Sequence, residues 1–228
     1  MERAADGRGW VSSRGPLRAQ ITALGVAVCR GHSSVLFRAA LLGVGAAWLA
    51  LAGIWRGAAD EIGTTSLCLL FWAPAATFGA AALAGPVLRA ERSLDWIARA
   101  CGAPPRVYVA PALLLACFGA LAGGAFALIV AASAGLGLAR GAGLAAACAT
   151  AGSATAAIAC SLARRALLGD GRDAGRMVVA NLGCISAWVV AITTLGARAL
   201  PLMASISLGV LAWERSVLQR QVRRTCSA

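Results

Sequence analysis

Six long runs of this chain contain no charged residue, and this spacing of charges most constrains how the chain can fold. The runs are residues 39–55, 62–88, 107–139, 141–163, 177–197 and 199–213. A transmembrane helix needs about 20 mostly apolar residues. The chain is also 60% hydrophobic and only 13% charged, whereas soluble domains are about 25% charged. We therefore predict an all-α, polytopic membrane protein with six transmembrane helices.

Two of the six runs depart from the usual length of a span. The third has 33 residues, which is too long for one span and too short for two. We expect one helix with Pro111 in its first turn, where proline is tolerated, and a loop beginning at Gly135 and Gly137. The sixth run has 15 residues and rises only about 22 Å, against roughly 30 Å of hydrocarbon. Arg198 and Arg215 at its ends can extend outward to the interface.

The distribution of arginine predicts the orientation. All 21 basic residues are arginine. With the N-terminus inside, 18 of them fall on the inner side, in residues 1–38, 89–106, 164–176 and 214–228, and three fall outside. Because positively charged loops stay in the cytoplasm, we predict a multi-pass protein of the cell (inner) membrane with both termini cytoplasmic. The net charge of +12 is explained by this orientation, so we predict no nucleic-acid partner.

A short helix is predicted before the first run. Apolar residues recur there at spacings of 4, 3 and 4, at Leu17, Ile21, Leu24 and Val28. These positions share one face of a helix, which we predict to be an amphipathic interfacial helix at the inner membrane surface. The alternative is a frayed basic tail. The predicted organisation is a disordered cytoplasmic tail over 1–16, a six-span transmembrane domain over 17–215 and a cytoplasmic tail over 216–228.

Ionisable groups are missing from the apolar runs. All nine carboxylates lie outside them, although transporters coupled to protons or sodium usually need an ionisable group inside the membrane. The single histidine, His32, builds neither an HExxH metal site nor a catalytic relay. The string GDGRDAGR at 169–176 lacks the lysine of a phosphate-binding loop, and we expect a cytoplasmic turn. We predict no catalytic residue, no metal and no cofactor. We also predict that the chain is not an enzyme and that any uphill transport takes its energy from another polypeptide.

The eight cysteines are scattered and form no CxxC pair. Five of them fall inside apolar runs: Cys68, Cys117, Cys148, Cys160 and Cys184. Cysteine without a ligand set behaves as a small apolar residue. We therefore predict that these five are buried and are neither metal ligands nor disulfides.

A charged island, RAERSLDWIARACGAPPRV at 89–107, separates the second and third runs. Within it, Asp95 and Arg99 can pair at i,i+4 on a helix of about ten residues. Exposure to water is unfavourable for the apolar side chains of Leu94, Trp96 and Ile97. The island is therefore either a helix that docks on a partner protein or an interfacial helix with Trp96 anchored among headgroups.

The order of features in this island resembles the permease subunits of type-2 ABC transporters. The matching residues are Glu91-Arg92-Ser93, then Leu94-Asp95-Trp96-Ile97, then Gly102-Ala103-Pro104-Pro105. An amphipathic helix before six spans is also typical of that family. The chain departs from it at Ser93, where glycine is usual, and at 196–199, where GARA leaves almost no external segment between the last two spans.

The resemblance implies an ATP-driven exporter in which the permease and the ATPase are separate chains. It assigns docking on the ATPase to one set of residues: Glu91, Arg92, Leu94, Asp95, Trp96, Ile97 and Arg99. The implied partners are a separate ABC ATPase subunit, a second permease chain in a homo- or heterodimer, and membrane lipids. Apart from the resemblance, a set of small residues would permit close helix packing: Gly119, Gly123, Gly124, Ala149, Gly152 and Ser153. The alternatives are a haem-exporter-type subunit of cytochrome c maturation and a non-transport assembly or scaffold protein.

Overall fold

The structure, a computed structural model, describes residues 15–100, 109–168 and 174–226, and every secondary-structure element in these ranges is helical. The eight α-helices are α1 Gly15–Gly31, α2 Ser33–Trp55, α3 Ala58–Ile62, α4 Thr64–Ala100, α5 Ala110–Ser133, α6 Leu138–Leu168, α7 Ala174–Leu195 and α8 Ala199–Cys226. The predicted all-α class is confirmed. Residues 1–14, most of the predicted disordered tail, lie outside the described ranges, as does most of the string at 169–176.

Five stretches of the described chain are long and apolar enough to cross a membrane. They are Ser33–Trp55, Thr64–Arg92, Ala110–Ser133, Leu138–Arg165 and Val178–Trp213. Each of the first four stretches contains most of the charge-free run with the same number. The fifth stretch contains most of both the fifth and the sixth runs. The predicted single helix in the third run is confirmed, and it ends where expected, because Gly135 has a φ of +65°. The fold is that of a multi-pass membrane protein.

Two apolar clusters divide the bundle along its length. The proximal cluster, beside α1, includes residues 80–88 of α4, and the distal cluster includes residues 68–76 of the same helix. The α6 helix likewise passes from Leu144 in the distal cluster to Ala163 in the proximal cluster. The two central helices are also the most buried, with 61% of the most apolar stretch of α4 and 67% of that of α6 inside the bundle.

The chain reverses direction between α7 and α8. The α7 helix ends at Leu195, a 3₁₀ turn covers Gly196–Arg198, and Gly196 adopts a φ of +58°, which favours glycine. Ala199 and Met203 at the start of α8 are fully buried in the distal cluster, whereas Leu211 packs against the proximal one. The α8 helix therefore runs in the same direction as α6.

The α7 helix runs the other way. Only residues 169–173 separate its start from the proximal end of α6, so the six steps from Leu168 to Ala174 span at most about 22 Å. Further along, Trp188 and Ile192 are buried in the distal cluster. The last two charge-free runs thus form two helices of opposite direction, joined by the turn at 196–198. The α7 helix packs mainly against α4, and the α8 helix packs mainly against α6.

The predicted apolar stripe before the first run packs against the bundle. Leu24 and Val28 on α1 are fully buried in the proximal cluster. His32 alone separates α1 from α2, and Ser33 and Ser34 already belong to the first turn of α2. The stripe therefore holds α1 to the helices that follow it.

The closest helix contact joins α5 and α6. Gly119 faces the backbone of Gly152, and Gly123 faces the backbone of Cys148, so closely that a side-chain carbon on either α5 glycine would overlap the α6 backbone. The four positions form a small-xxx-small pattern on each helix, which allows close packing in membranes. Three of the six small residues named in the sequence analysis, Gly119, Gly123 and Gly152, thus pack α5 against α6 within one chain, whereas Gly124 faces open space.

Three of the five cysteines in the apolar runs are buried, as predicted: Cys68, Cys148 and Cys160. Cys184 is half-buried. The prediction is wrong for Cys117, which is exposed on α5. An apolar position in a membrane helix can face lipid as readily as the core, so apolar surroundings in sequence do not decide burial.

Candidate functional site at the arginine-rich end

The charged island begins as a continuation of the second span. The α4 helix has 37 residues and is about 55 Å long, whereas the hydrocarbon core is about 30 Å thick. Pro74 and Pro86 lie inside it without ending it, as membrane helices tolerate. The helix of about ten residues that was predicted in the island is not a separate element but the end of α4; no glycine or proline occurs between Val87 and Ala100 to interrupt it.

The predicted docking residues lie on this extension. Glu91 and Arg92 have described side chains, Glu91 half-buried and Arg92 exposed. Leu94, Asp95, Trp96, Ile97 and Arg99 all fall within the helical backbone of α4. Their side chains lie outside the described part of the chain, so the division of this segment into an apolar and a charged face stays a prediction.

Glu91 is paired within the chain. One guanidinium nitrogen of Arg164, on α6, donates to both carboxylate oxygens of Glu91 at 3.2 Å. The side chains of Arg164 and Glu91 are only 11% and 12% exposed. Ion pairs with little access to water are weakly screened, and removing one partner leaves a charge that the site cannot solvate. Glu91 thereby fixes the start of the α4 extension to the end of α6.

The neighbouring arginine connects α6 to α8. The Arg165 guanidinium carbon lies 4.0 Å from the centroid of the Trp213 ring, which is a cation–π distance. Consecutive residues of α6 therefore contact two different helices, Arg164 on one side and Arg165 on the other. The sequence analysis assigned no role to Arg164 or Arg165, because their partners Glu91 and Trp213 are distant in sequence. The only sequence signal for these contacts was that both arginines lie in a segment predicted for the same side of the membrane as Glu91.

The chemistry available here is that of a charged contact surface. Arg89, Arg92 and Arg165 are exposed around the ion pair, so this end of the bundle attracts anionic groups of lipid or protein. Among the residues that the structure describes, no group of three histidine, cysteine or carboxylate side chains could hold a metal ion. In comparisons with known proteins, no family model, no curated protein and no solved structure matches this chain.

Proposed function

We propose that this protein is the membrane-spanning permease subunit of an ATP-driven, ABC-type export system and works with a separate ATPase chain. One observation supports the proposal: the 37-residue helix α4 is longer than a bilayer crossing needs and continues through Ala100, with the Glu91-Arg92 pair near the start of the extension and Glu91 paired with Arg164 of α6. A continuous helix that joins a membrane span to a docking segment can transmit a partner's movement into the bundle.

The proposal includes six spans, with both termini on the cytoplasmic side. The α8 helix returns toward the proximal cluster, and the contact between Arg165 and Trp213 places its middle beside the proximal end of α6. With 28 residues, α8 is about 42 Å long, so the shortness of the sixth charge-free run does not prevent a crossing. The split of 18 arginines against three supports this orientation.

We also propose that α1 lies in the inner membrane interface. Its buried face, with Leu24 and Val28, contacts the proximal cluster, whereas Arg18 and Arg30 are exposed. Val26 is 44% exposed, so the helix also presents an apolar residue away from the bundle. A helix with packed, apolar and basic faces suits the boundary between headgroups and acyl chains.

The mechanism follows from the connections of α4. This helix packs against α1, α2, α5, α6 and α7, so a displacement of its extension reaches most of the bundle. The ion pair between Glu91 and Arg164 makes α4 and α6 move together at the docking end. Because the backbones of α5 and α6 touch through Gly119 and Gly123, we place the export pathway between two permease chains in a homo- or heterodimer.

The docking helix is tested by Trp96→Ala. The variant and the wild type are each co-expressed with an ATPase chain that carries Walker motifs and comes from the same organism. We expect the variant to insert and fold normally but to bind the ATPase about thirtyfold more weakly, because truncating a buried aromatic anchor commonly costs about 2 kcal/mol or more. The matched control is Trp48→Ala, which removes a tryptophan on α2 that is 64% exposed and lies outside the proposed docking segment.

The readouts are co-purification of the ATPase and stimulation of ATP hydrolysis in proteoliposomes. Loss of both for Trp96→Ala alone supports a docking helix. Normal binding and stimulation by Trp96→Ala would show that the segment only anchors in headgroups. If the wild-type chain binds no ATPase, the scaffold alternative gains support and the permease proposal fails.

A further inference from the structure

The contact between Arg165 and Trp213 marks the level at which α8 reaches the arginine-rich surface. The guanidinium carbon of Arg165 lies 4.0 Å from the centroid of the Trp213 ring, and both residues are exposed. Tryptophan rings in membrane helices sit at the headgroup level, and a charged group deeper than that level is unfavourable. The hydrocarbon beside α8 therefore ends at this pair.

The apolar part of α8 that begins at this level is short. Arg198, the nearest charged residue in the direction of the distal cluster, is exposed in the turn before α8. It precedes Trp213 by 15 residues, which is about 22 Å of helix, against roughly 30 Å of hydrocarbon. On α6, by contrast, 25 residues separate Arg165 from Arg140, about 37 Å of helix. The shortfall is thus confined to α8.

Snorkelling relieves this shortfall at one end only. Arg198 can extend outward from the turn toward water. The Arg165 side chain is directed the other way, because helix side chains tilt toward the N-terminus of their helix, and the N-terminal half of α6 lies in the distal cluster. Stacking on Trp213 favours this inward position. The charge of Arg165 is therefore held toward the bilayer interior, and headgroups and water have to reach it there.

The surface between the two charged ends faces lipid. The stretch Val178–Trp213 is the least buried of the five apolar stretches in the described chain, with 17% of its most apolar part inside the bundle. On α8, three large apolar side chains between Arg198 and Trp213 are exposed: Leu202, Ile206 and Leu208. A lipid beside α8 therefore meets an apolar band that is several ångströms shorter than an ordinary bilayer.

We propose that this band thins the bilayer locally, mainly in the leaflet on the arginine-rich side, and so favours lipids with short acyl chains. A helix shorter than the hydrocarbon is accommodated by thinning, by snorkelling or by oligomerisation. Thinning is the route that hydrates Arg165 while it stays on Trp213. The inference rests on the proposed crossing of the membrane by α8, but it requires no ATPase partner.

The test varies the thickness of the bilayer. The purified full chain is reconstituted in nanodiscs of phosphatidylcholine whose monounsaturated acyl chains have fourteen, eighteen or twenty-two carbons, and its thermal unfolding is recorded. We expect the Tm of the wild type to fall by roughly 5–10 °C from the shortest to the longest lipid, because each added ångström of mismatch lowers the stability of the folded chain.

Two variants release the inward charge. Arg165→Leu removes the guanidinium group, and Trp213→Leu removes the ring on which it stacks, so that Arg165 can turn toward the headgroups. Each should reduce the fall in Tm across the lipid series to less than about half. The matched control is Arg89→Leu, the same substitution at an exposed arginine of the same end, on α4, whose charge-free run has 27 residues. Its Tm should fall across the series as that of the wild type does.

Three results would overturn the proposal. A wild-type Tm that does not change with lipid length would show that the α8 band fits an ordinary bilayer. Equal effects of Arg89→Leu and Arg165→Leu would show that the thickness dependence does not arise at α8. Wild-type chains that keep their Tm in the longest lipid and crosslink to one another through α8 would show that a second copy covers the band. The crossing by α8 is a separate matter, because it fails only if the C-terminus is exported.

Discussion

Glu91 on α4 and Arg164 on α6, 73 residues apart in sequence, form an ion pair at 3.2 Å across the arginine-rich end of the bundle. A docking role alone would leave Glu91 available to a partner protein. The structure instead gives this carboxylate a contact inside the chain, near the start of the proposed docking segment. Any partner that binds the α4 extension therefore acts on a helix that is already tied to α6.

Breaking this pair should destabilise the fold. Glu91→Gln leaves the Arg164 charge in a site with little access to water, and we expect a loss of about 3 kcal/mol in the free energy of unfolding. Replacing both residues, Glu91→Met with Arg164→Met, should recover most of that loss, because well-packed apolar side chains can substitute for a buried pair. Titration with SDS in mixed micelles measures the free energy of unfolding of the single and the double variant.

Arg89→Gln is the control for the ion pair, since Arg89 is exposed on the same helix and its replacement should change stability by less than about 0.5 kcal/mol. If the single Glu91 variant and the double methionine variant lose equal stability, the pair has no coupling energy and the assigned role is wrong.

Adjacent glycines on α5 should respond oppositely to the same substitution. Gly123→Ala pushes a methyl group into the α6 backbone at Cys148, and overpacking of this kind costs about 1–3 kcal/mol. Gly124→Ala meets open space and should be neutral or stabilising by up to about 1 kcal/mol, because alanine favours helix over glycine. Unfolding in mixed micelles distinguishes them; equal effects would contradict the described contact between α5 and α6.

The indole N–H of Trp72 should contribute measurably to packing. Trp72→Phe removes the hydrogen bond to Cys148 but keeps an aromatic ring beside Phe126, whose centroid now lies 5.0 Å away. We expect a loss of about 1 kcal/mol for the hydrogen bond, plus the effect of the smaller ring. Trp48→Phe, at a tryptophan that is 64% exposed, should change the unfolding free energy far less under the same conditions.

The direction of α8 predicts the side on which the chain ends. Reporter fusions after residue 135 should give active alkaline phosphatase, which requires export, and fusions after residue 228 should give fluorescent green fluorescent protein, which requires the cytoplasm. The reason is that α7 and α8 run in opposite directions from Gly196. An active phosphatase fusion at residue 228 would mean that the two helices cross the membrane once, as one unit.

Much of the architecture was predictable because it depends on local sequence. Charge-free runs mark the long helices, since a charged residue inside hydrocarbon is unfavourable wherever the rest of the chain lies. The loop at Gly135 was predictable for the same reason, because glycine reaches a positive φ without a steric penalty. The stripe of Leu24 and Val28 was also readable, since a helix with one apolar face among polar residues shows its period directly.

Tertiary packing alone decided the contacts that define the candidate site. Nothing in the sequence pairs Glu91 with Arg164 among the arginines predicted for the same side, because that choice depends on how far α4 and α6 slide along each other. The sequence also does not distinguish Gly123, which touches α6, from Gly124, which does not. Membrane helices are apolar on all sides, so periodicity does not mark which face meets a neighbour and which meets lipid; only the packed bundle distinguishes them.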